Sequence, residues 1–217
     1  MSHSAEAIER KNMLKHQIND RGVRCKRTLS AMQKVPREQF LPKKLRAFSY
    51  HDGPLPIDAE QTISQPYIVA LMTEALALEG GERVLEIGTG SGYAAVLAEI
   101  ASQVYTAERS EMLAQKSSAL LASLGYTNVE VLHADGTQGW PEHAPYDEIV
   151  VTAGGPEVPE LLKSQLKIGG RLVIPVGKDE RFQKLIRVIR LSETEFITDD
   201  LADARFMPLV GKEGWAE

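Results

Sequence analysis

Glycines and an acid with the spacing of a nucleotide-binding site lie near the middle of the chain. Residues 88–92 read Gly-Thr-Gly-Ser-Gly, directly after an apolar run at 84–87 and before a predicted helix over 93–101. Glycine lets a backbone approach a ligand closely, and a helix N-terminus offers unpaired N–H groups. An ordinary tight turn would explain the glycines equally well. Glu108 favours the binding site, because it ends the next predicted strand 20 residues after Gly88, where such folds place the acid that binds a ribose.

The spacing of the glycines discriminates between cofactors. The dinucleotide-binding fingerprint is G-x-G-x-x-G, whereas residues 88–92 follow G-x-G-x-G, with Glu86 two residues before the first glycine. This form resembles motif I of class I S-adenosylmethionine methyltransferases. The resemblance implies that S-adenosyl-L-methionine is the cofactor and that the glycine loop holds its amino-acid end.

Composition predicts an ordinary soluble domain. The chain has 217 residues, of which 43% are hydrophobic and 25% charged, enough for one core with an appendage. Long apolar runs and a secretory leader are missing, so we expect no membrane association. Cys25 is the single cysteine, which fits a cytoplasmic location. The five histidines show no metal-ligand spacing, so no metal is expected.

Charge is unevenly distributed along the chain. Residues 1–50 carry a net charge of +8 and residues 51–217 carry −13. A basic arm is compatible with nucleic-acid binding, but it can equally pack on an acidic domain. The basic residues are dispersed and have few aromatic neighbours for base stacking, so we favour packing and expect no nucleic-acid partner.

Alternating strands and helices must position these residues. Predicted helices cover residues 4–20, 25–34, 93–101 and 111–124, with a short one between Gly155 and Leu166. Another begins at Pro66 and takes Ser64 or Gln65 as its cap. Predicted strands cover residues 84–87, 104–108, 129–132, 146–152 and 171–176, followed by antiparallel edge strands at 185–191 and about 204–209.

This order predicts an α/β fold with a doubly wound, mostly parallel sheet, whose ligand lies at the carboxyl ends of the strands. The glycine loop, Glu108 and Asp135 all lie at such ends. Residues 1–60 are expected to form a helical N-terminal extension with a substrate loop. Residues 61–217 are expected to form the methyltransferase domain.

Motifs along nearly the whole chain resemble those of protein-L-isoaspartate (D-aspartate) O-methyltransferases. The Thr-Ile-Ser-Gln-Pro block at 62–66 is specific to this family among methyltransferases. The matching stretches are VPREQFLP at 35–42, PLPI at 54–57, QTISQPYIVALMTE at 61–74, VLEIGTGSGY at 84–93, GWPEHAPYDEIVVTA at 139–153, GGRLVIPVG at 169–177 and RFMPLV at 205–210. The resemblance implies a monomeric cytoplasmic repair enzyme that methylates the free α-carboxylate of L-isoaspartyl and D-aspartyl residues in damaged proteins.

The resemblance also implies roles for individual residues. Ser64 matches the active-site serine, and the segment 205–210 matches one that helps to hold the damaged peptide. The residues implied to bind the cofactor are Gly88, Gly90, Ser91, Gly92, Glu108, Asp135 and Gly136. Those implied to contact the substrate are Thr62, Ile63 and Val210. The family usually has glycine where this chain has Glu60, so a positive φ there would strain the backbone.

Methyl transfer to a carboxylate needs no general base, because an α-carboxyl has a pKa of about 3.5 and is ionised at neutral pH. Ser64 would then orient the nucleophile by a hydrogen bond. A purely structural helix cap remains the alternative for Ser64. Two other functions also remain open: another class I methyltransferase acting on nucleic acid or a small molecule, and a cofactor-binding homologue without catalysis.

Overall fold

The structure is a computed structural model that describes residues 3–179 and 181–216. The strands in chain order are β1 Leu55–Pro56, β2 Thr62–Ile63, β3 Arg83–Ile87, β4 Gln103–Glu108, β5 Val129–His133, β6 Tyr146–Val151, β7 Leu166–Val176, β8 Gln183–Arg190 and β9 Phe196–Ala204. β1 and β2 form a separate antiparallel hairpin, and the others form one seven-stranded sheet.

The large sheet has the order β5-β4-β3-β6-β7-β8-β9. The strands from β5 to β7 pair in parallel, and β8 and β9 pair antiparallel at one edge. The chain runs outward from β3 to β5 and then returns to β6 on the other side of β3. Ligands of doubly wound sheets bind at such a switch point. The predicted fold class is confirmed.

The α-helices explain how the strands are connected. They are α1 His3–Asn12, α2 Lys26–Lys34, α3 Pro66–Ala75, α4 Ala95–Ala98, α5 Glu111–Ser123 and α6 Glu160–Ser164. A π-helical segment, Met13–Ile18, continues α1, so the predicted helix over 4–20 is confirmed in extent. Ser110 caps α5 by accepting a hydrogen bond from the Leu113 N–H, as expected of a serine at this position.

Two predicted helices are shorter than expected. The helix predicted over 93–101 is reduced to α4, because Tyr93 and Ala94 lie in turns closed by i→i−3 hydrogen bonds after Gly92, whose φ is 88°. The helix predicted between Gly155 and Leu166 is only α6, which begins after Pro159.

The prediction of a strand at about 204–209 is wrong. β9 ends at Ala204, and the following residues form an extended segment with one bridge, between Pro208 and Gly154. Gly154 donates its N–H to Met207 and accepts from Leu209. Pro208 has no N–H and cannot continue a ladder, so the segment runs past the carboxyl end of β6 instead of joining the sheet edge.

The N-terminal extension shares a hydrophobic core with the sheet domain. Met13, Ile18 and Met32 are fully or almost fully buried in the same cluster as Val96 and Leu121. Burial of apolar area is the main stabilising term in folding, so the extension is an integral part of the folded unit.

Candidate active site

A cavity of about 460 Å³ opens at the carboxyl ends of the central strands, next to the switch point. Small-molecule sites have volumes of roughly 300–1,000 Å³. Four parts of the fold form its wall: the glycine loop, the end of β4, the β1–β2 hairpin with the start of α3, and the segment after β9. Its lining includes Gln61, Thr62, Ser64, Gly88, Gly90, Glu108, Gly136, Thr152, Arg205 and Val210.

The first glycine of the loop is required by close packing. Gly88 has a φ of 95°, and a Cβ built there would lie 2.4 Å from the Thr152 Oγ1. That hydroxyl donates to the carbonyls of Ile87, at 3.0 Å, and Gly88, at 2.8 Å. Thr152, which follows β6, therefore fixes the path of the loop across the cavity floor.

Several predicted site residues lie outside the main cavity. Ser91 and Ile63 line a smaller neighbouring cavity of about 80 Å³. A Cβ at Gly92 would lie 3.2 Å from the Ser117 Cβ on α5. The third glycine therefore permits close packing of the loop on a helix, and the structure does not bring it to the cavity wall.

Glu108 is held in place by the loop that it faces. Its Oε2 accepts from the Gly90 N–H at 2.9 Å, and its Oε1 accepts from the Ser110 N–H at 2.9 Å. A carboxylate offers about four acceptor positions, so the two oxygens can still accept from the hydroxyls of a ribose. The side chain is buried but lines the cavity, which fits its predicted role.

A neutral carboxyl lies beneath the glycine loop. Glu86 is buried, and burial raises the pKa of its carboxyl to about 8. Thr106 donates to Glu86 at 2.6 Å, and the Thr106 hydroxyl also bonds the Thr89 hydroxyl at 2.7 Å. This buried chain of hydrogen bonds connects β3 and β4 to the loop, so Glu86 supports the loop from below.

Asp135 anchors the C-terminal segment. Its Oδ1 accepts from the Thr137 N–H and hydroxyl, and its Oδ2 accepts from the Lys212 N–H at 2.9 Å. These donors hold the pKa of the carboxyl below its usual range despite partial burial. Gly136 lines the main cavity, whereas Asp135 lines an adjoining cavity beside Val210 and Arg109.

The β1–β2 hairpin forms one rim of the cavity and contains a strained turn. Ala59 and Glu60 have φ values of 55° and 57°, which non-glycine residues rarely adopt. Glu60 therefore has the positive φ at which a residue other than glycine is strained. Asp58 forms an ion pair with Lys116 on α5, which attaches the hairpin to the sheet domain.

Ser64 lines the cavity with a hydroxyl that makes no hydrogen bond to the described residues. α3 begins at Pro66 with Gln65 at its N-cap position, and no side chain caps it. Gln65 thus occupies one of the two predicted cap positions, but the expected hydrogen bond from the helix to the side chain of Ser64 or Gln65 is not formed. The backbone of Ser64 is fixed instead by Arg37, whose Nη2 donates to the Ser64 carbonyl at 2.7 Å.

Sequence reasoning did not single out the side chains of Arg37, Thr152 or Arg205, although Arg205 lies in the segment 205–210 that is predicted to help hold the peptide. Arg205 lines the cavity, is exposed and has no ion-pair partner among the described residues. Arg37 and Thr152 fix the backbone on opposite sides of the cavity. The two arginines occur inside the quoted motifs, VPREQFLP and RFMPLV, but nothing in their spacing indicates that they approach Ser64.

Among the described residues, no cluster of histidine, cysteine, aspartate or glutamate has the composition of a metal site. Within the same part of the chain, no helix is both long and apolar enough to cross a membrane.

Comparisons with known proteins agree on one family. The family model for protein-L-isoaspartate(D-aspartate) O-methyltransferase matches residues 8–214. A protein-L-isoaspartate O-methyltransferase of Rhodopseudomonas palustris is 60% identical over 206 residues, which cover 94% of each chain. One of Pelobacter propionicus is 58% identical and covers 97% of this chain and 94% of its own.

Solved structures give the same result. A structure described as a protein-L-isoaspartate O-methyltransferase superposes with a TM-score of 0.84 and 33% identity, over 94% of this chain and 67% of the other. A Plasmodium falciparum structure, described as a protein-L-isoaspartate O-methyltransferase in complex with S-adenosyl-L-homocysteine, has a TM-score of 0.76 and 25% identity. It covers 91% of this chain and 96% of its own.

Proposed function

Because this chain belongs to the protein-L-isoaspartate(D-aspartate) O-methyltransferase family, we propose specific roles in that reaction for the residues around its cavity. The enzyme uses S-adenosylmethionine to methylate isoaspartyl residues of damaged proteins. The observation that carries the proposal is the free Ser64 hydroxyl, which shares one cavity with Glu108 and the glycine loop.

The described residues fit S-adenosylmethionine. Gly88 and Gly90 line the cavity with backbone that carries no side chain, and Glu108 retains acceptor positions for ribose hydroxyls. Gly136 contributes to the same wall. When bound, the cofactor supplies an electrophilic methyl group on its sulfonium. The chain must therefore bind and orient the two reactants and exclude water from them.

The second reactant is an anion, and the structure supplies polar and cationic groups to receive it. Ser64 donates a hydrogen bond to the α-carboxylate and fixes its direction. Thr62 and Val210 line the same cavity and contact the flanking peptide. Arg205 attracts the anionic substrate to the mouth of the cavity. Holding reactants in line at near-attack distance is worth up to roughly 7–11 kcal/mol. No general base is needed, because the α-carboxylate is already ionised at neutral pH.

We further propose that the protein is a monomer, that it is located in the cytoplasm, and that it has no nucleic-acid or membrane partners. Packing of the basic residues 1–50, which carry a net charge of +8, supports this proposal, because two of their cations pair with acids of the rest of the chain. These pairs are Arg21–Asp52 and Lys34–Glu99.

One experiment tests the proposed activity. The protein is incubated with radiolabelled S-adenosylmethionine and two peptides that differ only in an isoaspartyl or an aspartyl residue. We expect base-labile methyl ester on the isoaspartyl peptide alone. Equal labelling of both peptides would contradict the substrate, and tight cofactor binding without any labelling would indicate a binding homologue without catalysis.

A further inference from the structure

Arg37 is an unusual charge for the interior of this protein. Its side chain is fully buried at 0% exposure, and none of the described residues provides a carboxylate that pairs with it. The acid next to it in sequence, Glu38, is already bound by Arg10 and Tyr50. An arginine remains charged in proteins, and an uncompensated buried cation is costly. Its presence therefore needs an explanation beyond packing.

The contacts of the guanidinium point toward the cavity. Its Nε donates to the Ser49 carbonyl at 2.8 Å, and its Nη2 donates to the Ser64 carbonyl at 2.7 Å. The remaining nitrogen, Nη1, is buried and has no hydrogen-bond partner, and the same holds for the Tyr93 hydroxyl. The guanidinium carbon lies 5.0 Å from the centroid of the Tyr93 ring. Arg37 thus lies between the Ser64 carbonyl and the ring of Tyr93, the residue that directly follows the glycine loop.

We propose that Arg37 is a positioning residue for methyl transfer, which fixes the Ser64 peptide so that the serine hydroxyl is held in place for the bound α-carboxylate. This inference rests on the proposed role of Ser64. Arg37 does not touch the substrate, because its side chain is fully buried. It acts through Ser64, whose backbone carbonyl it holds.

A purely structural role makes a different prediction. The neighbouring Arg10 is an arginine of that kind: it donates to Tyr50 at 2.8 Å, to the Gln33 carbonyl at 3.1 Å and to Glu38 at 3.2 Å. Arg10 makes no contact with Ser64 or with any wall of the cavity. It therefore provides a matched control in the same part of the fold.

The variants are Arg37→Met, Arg37→Lys and the control Arg10→Met, compared by kcat and KM for an isoaspartyl peptide, by cofactor Kd and by Tm. Arg37→Met should lower kcat/KM on the order of 10- to 100-fold, because it misplaces the group that orients the nucleophile. Arg37→Lys keeps the charge without the fork that reaches two carbonyls, so it should recover part of this loss. Cofactor Kd should change little. Arg10→Met should lower Tm and leave kcat of the folded enzyme unchanged.

A double-mutant cycle with Ser64→Ala gives the decisive readout. If Arg37 acts through Ser64, Arg37→Met should reduce kcat much less in the Ser64→Ala background than in the wild type. Losses that multiply independently would overturn the inference and leave the proposed function intact. A normal rate for Ser64→Ala alone would overturn the role of Ser64 and the inference with it. If Arg37→Met does not fold, the same comparison is made with Arg37→Lys.

Discussion

Ser64 combines a fixed backbone with a free side chain. Its carbonyl is held by Arg37, and the residue lines the cavity, while the first turn of α3 does not use its hydroxyl as a cap. A hydroxyl that contributes nothing to the helix is available for the substrate. The structure therefore argues against the cap, and the role of Ser64 in orienting the substrate stays a prediction.

Replacing Ser64 by alanine should affect chemistry and not stability. We expect a loss in kcat on the order of 10²-fold, because the carboxylate loses the group that orients it. Tm should stay within the range of ordinary surface substitutions, since no cap bond is lost. Initial rates and thermal melts of the same preparation measure both quantities. A lowered Tm with a normal rate would assign Ser64 to the helix instead.

Glu108 is expected to dominate the binding of the ribose. Glu108→Ala should weaken S-adenosylmethionine binding by about 1.5–3 kcal/mol, the scale of a hydrogen bond to a charged group. Part of this loss would come from Gly90, whose N–H loses its partner. Calorimetric titration measures the affinity, with Glu111→Ala, three residues further along on α5, as the control. Equal affinity in wild type and Glu108→Ala would remove Glu108 from the site.

Glu86 should make stability depend on pH. Burial raises the pKa of its carboxyl to about 8, whereas an unfolded glutamate titrates at about 4.3. The folded protein binds this proton more tightly, so the stabilisation is complete below about pH 4 and is lost as the pH rises toward 8. Glu86→Gln imitates the neutral acid and should remove this dependence, which amounts to at most about 1.4 kcal/mol per pH unit.

Melting temperatures between about pH 5 and pH 9 test this expectation. The Tm of Glu86→Gln should increase relative to the Tm of the wild type as the pH rises. The Tm of the exposed control Glu111→Gln should change with pH as the wild-type Tm does. Glu148, whose pKa burial also raises to about 8, is present in all three proteins and does not affect the comparison. Parallel curves for Glu86→Gln and the wild type would show that Glu86 is not neutral in the fold.

At the scale of elements, the β1–β2 hairpin is held at the cavity rim under local strain. Its turn places Ala59 and Glu60 in the left-handed region, and Asp58 pairs with Lys116 on α5. Strained conformations of this kind often occur at functional sites and persist only where the surroundings enforce them. The hairpin also carries Thr62, which lines the cavity and is proposed to contact the substrate, so a change in the turn is expected to move this residue as well.

Glu60→Gly should relieve this strain. A left-handed residue with a side chain costs about 1–2 kcal/mol relative to glycine, and the greater freedom of glycine in the unfolded chain offsets part of the gain. We therefore expect a net stabilisation of about 0.5–1 kcal/mol in urea unfolding. Glu79→Gly, at an exposed position without a positive φ, should destabilise the protein. A loss of stability in both variants would show that the turn is not strained.

At the scale of the whole molecule, the N-terminal extension and the sheet domain behave as one unit. Met13 and Met32 from the extension are packed in the same core as Val96 and Leu121. Two hydrogen bonds also connect the extension to the sheet domain. Arg37 donates to the Ser64 carbonyl, and the Arg24 N–H donates to the carboxylate of Glu74. The division predicted at residue 60 therefore does not divide the hydrophobic core.

We expect a single unfolding transition for the whole chain. Tryptophan fluorescence reports on Trp140 and Trp215 in the sheet domain, and hydrogen exchange of peptides from α2 reports on the extension. Both should give the same midpoint in urea, because a shared core makes unfolding cooperative. An earlier transition for α2 would show that the extension folds separately.

The sequence by itself determined the parallel strands, the glycine loop and the position of Glu108. These features depend on local patterns: the burial of apolar strands, the freedom of glycine at positive φ, and the fixed number of residues between consecutive strand ends. The family resemblance singled out Glu60 as a departure from glycine, and the structure supplied the positive φ there. The family motifs supplied Ser64, but not the reason that its hydroxyl is free.

Only the tertiary structure decided which distant groups meet around the cavity. Arg37 is bonded to a carbonyl 27 residues away, and Asp135 to an N–H 77 residues away. The segment after Ala204 follows the end of β6 instead of forming the predicted strand. Such contacts have no periodic signature in a sequence, because they depend on how several elements pack at once and on which buried polar groups remain to be satisfied.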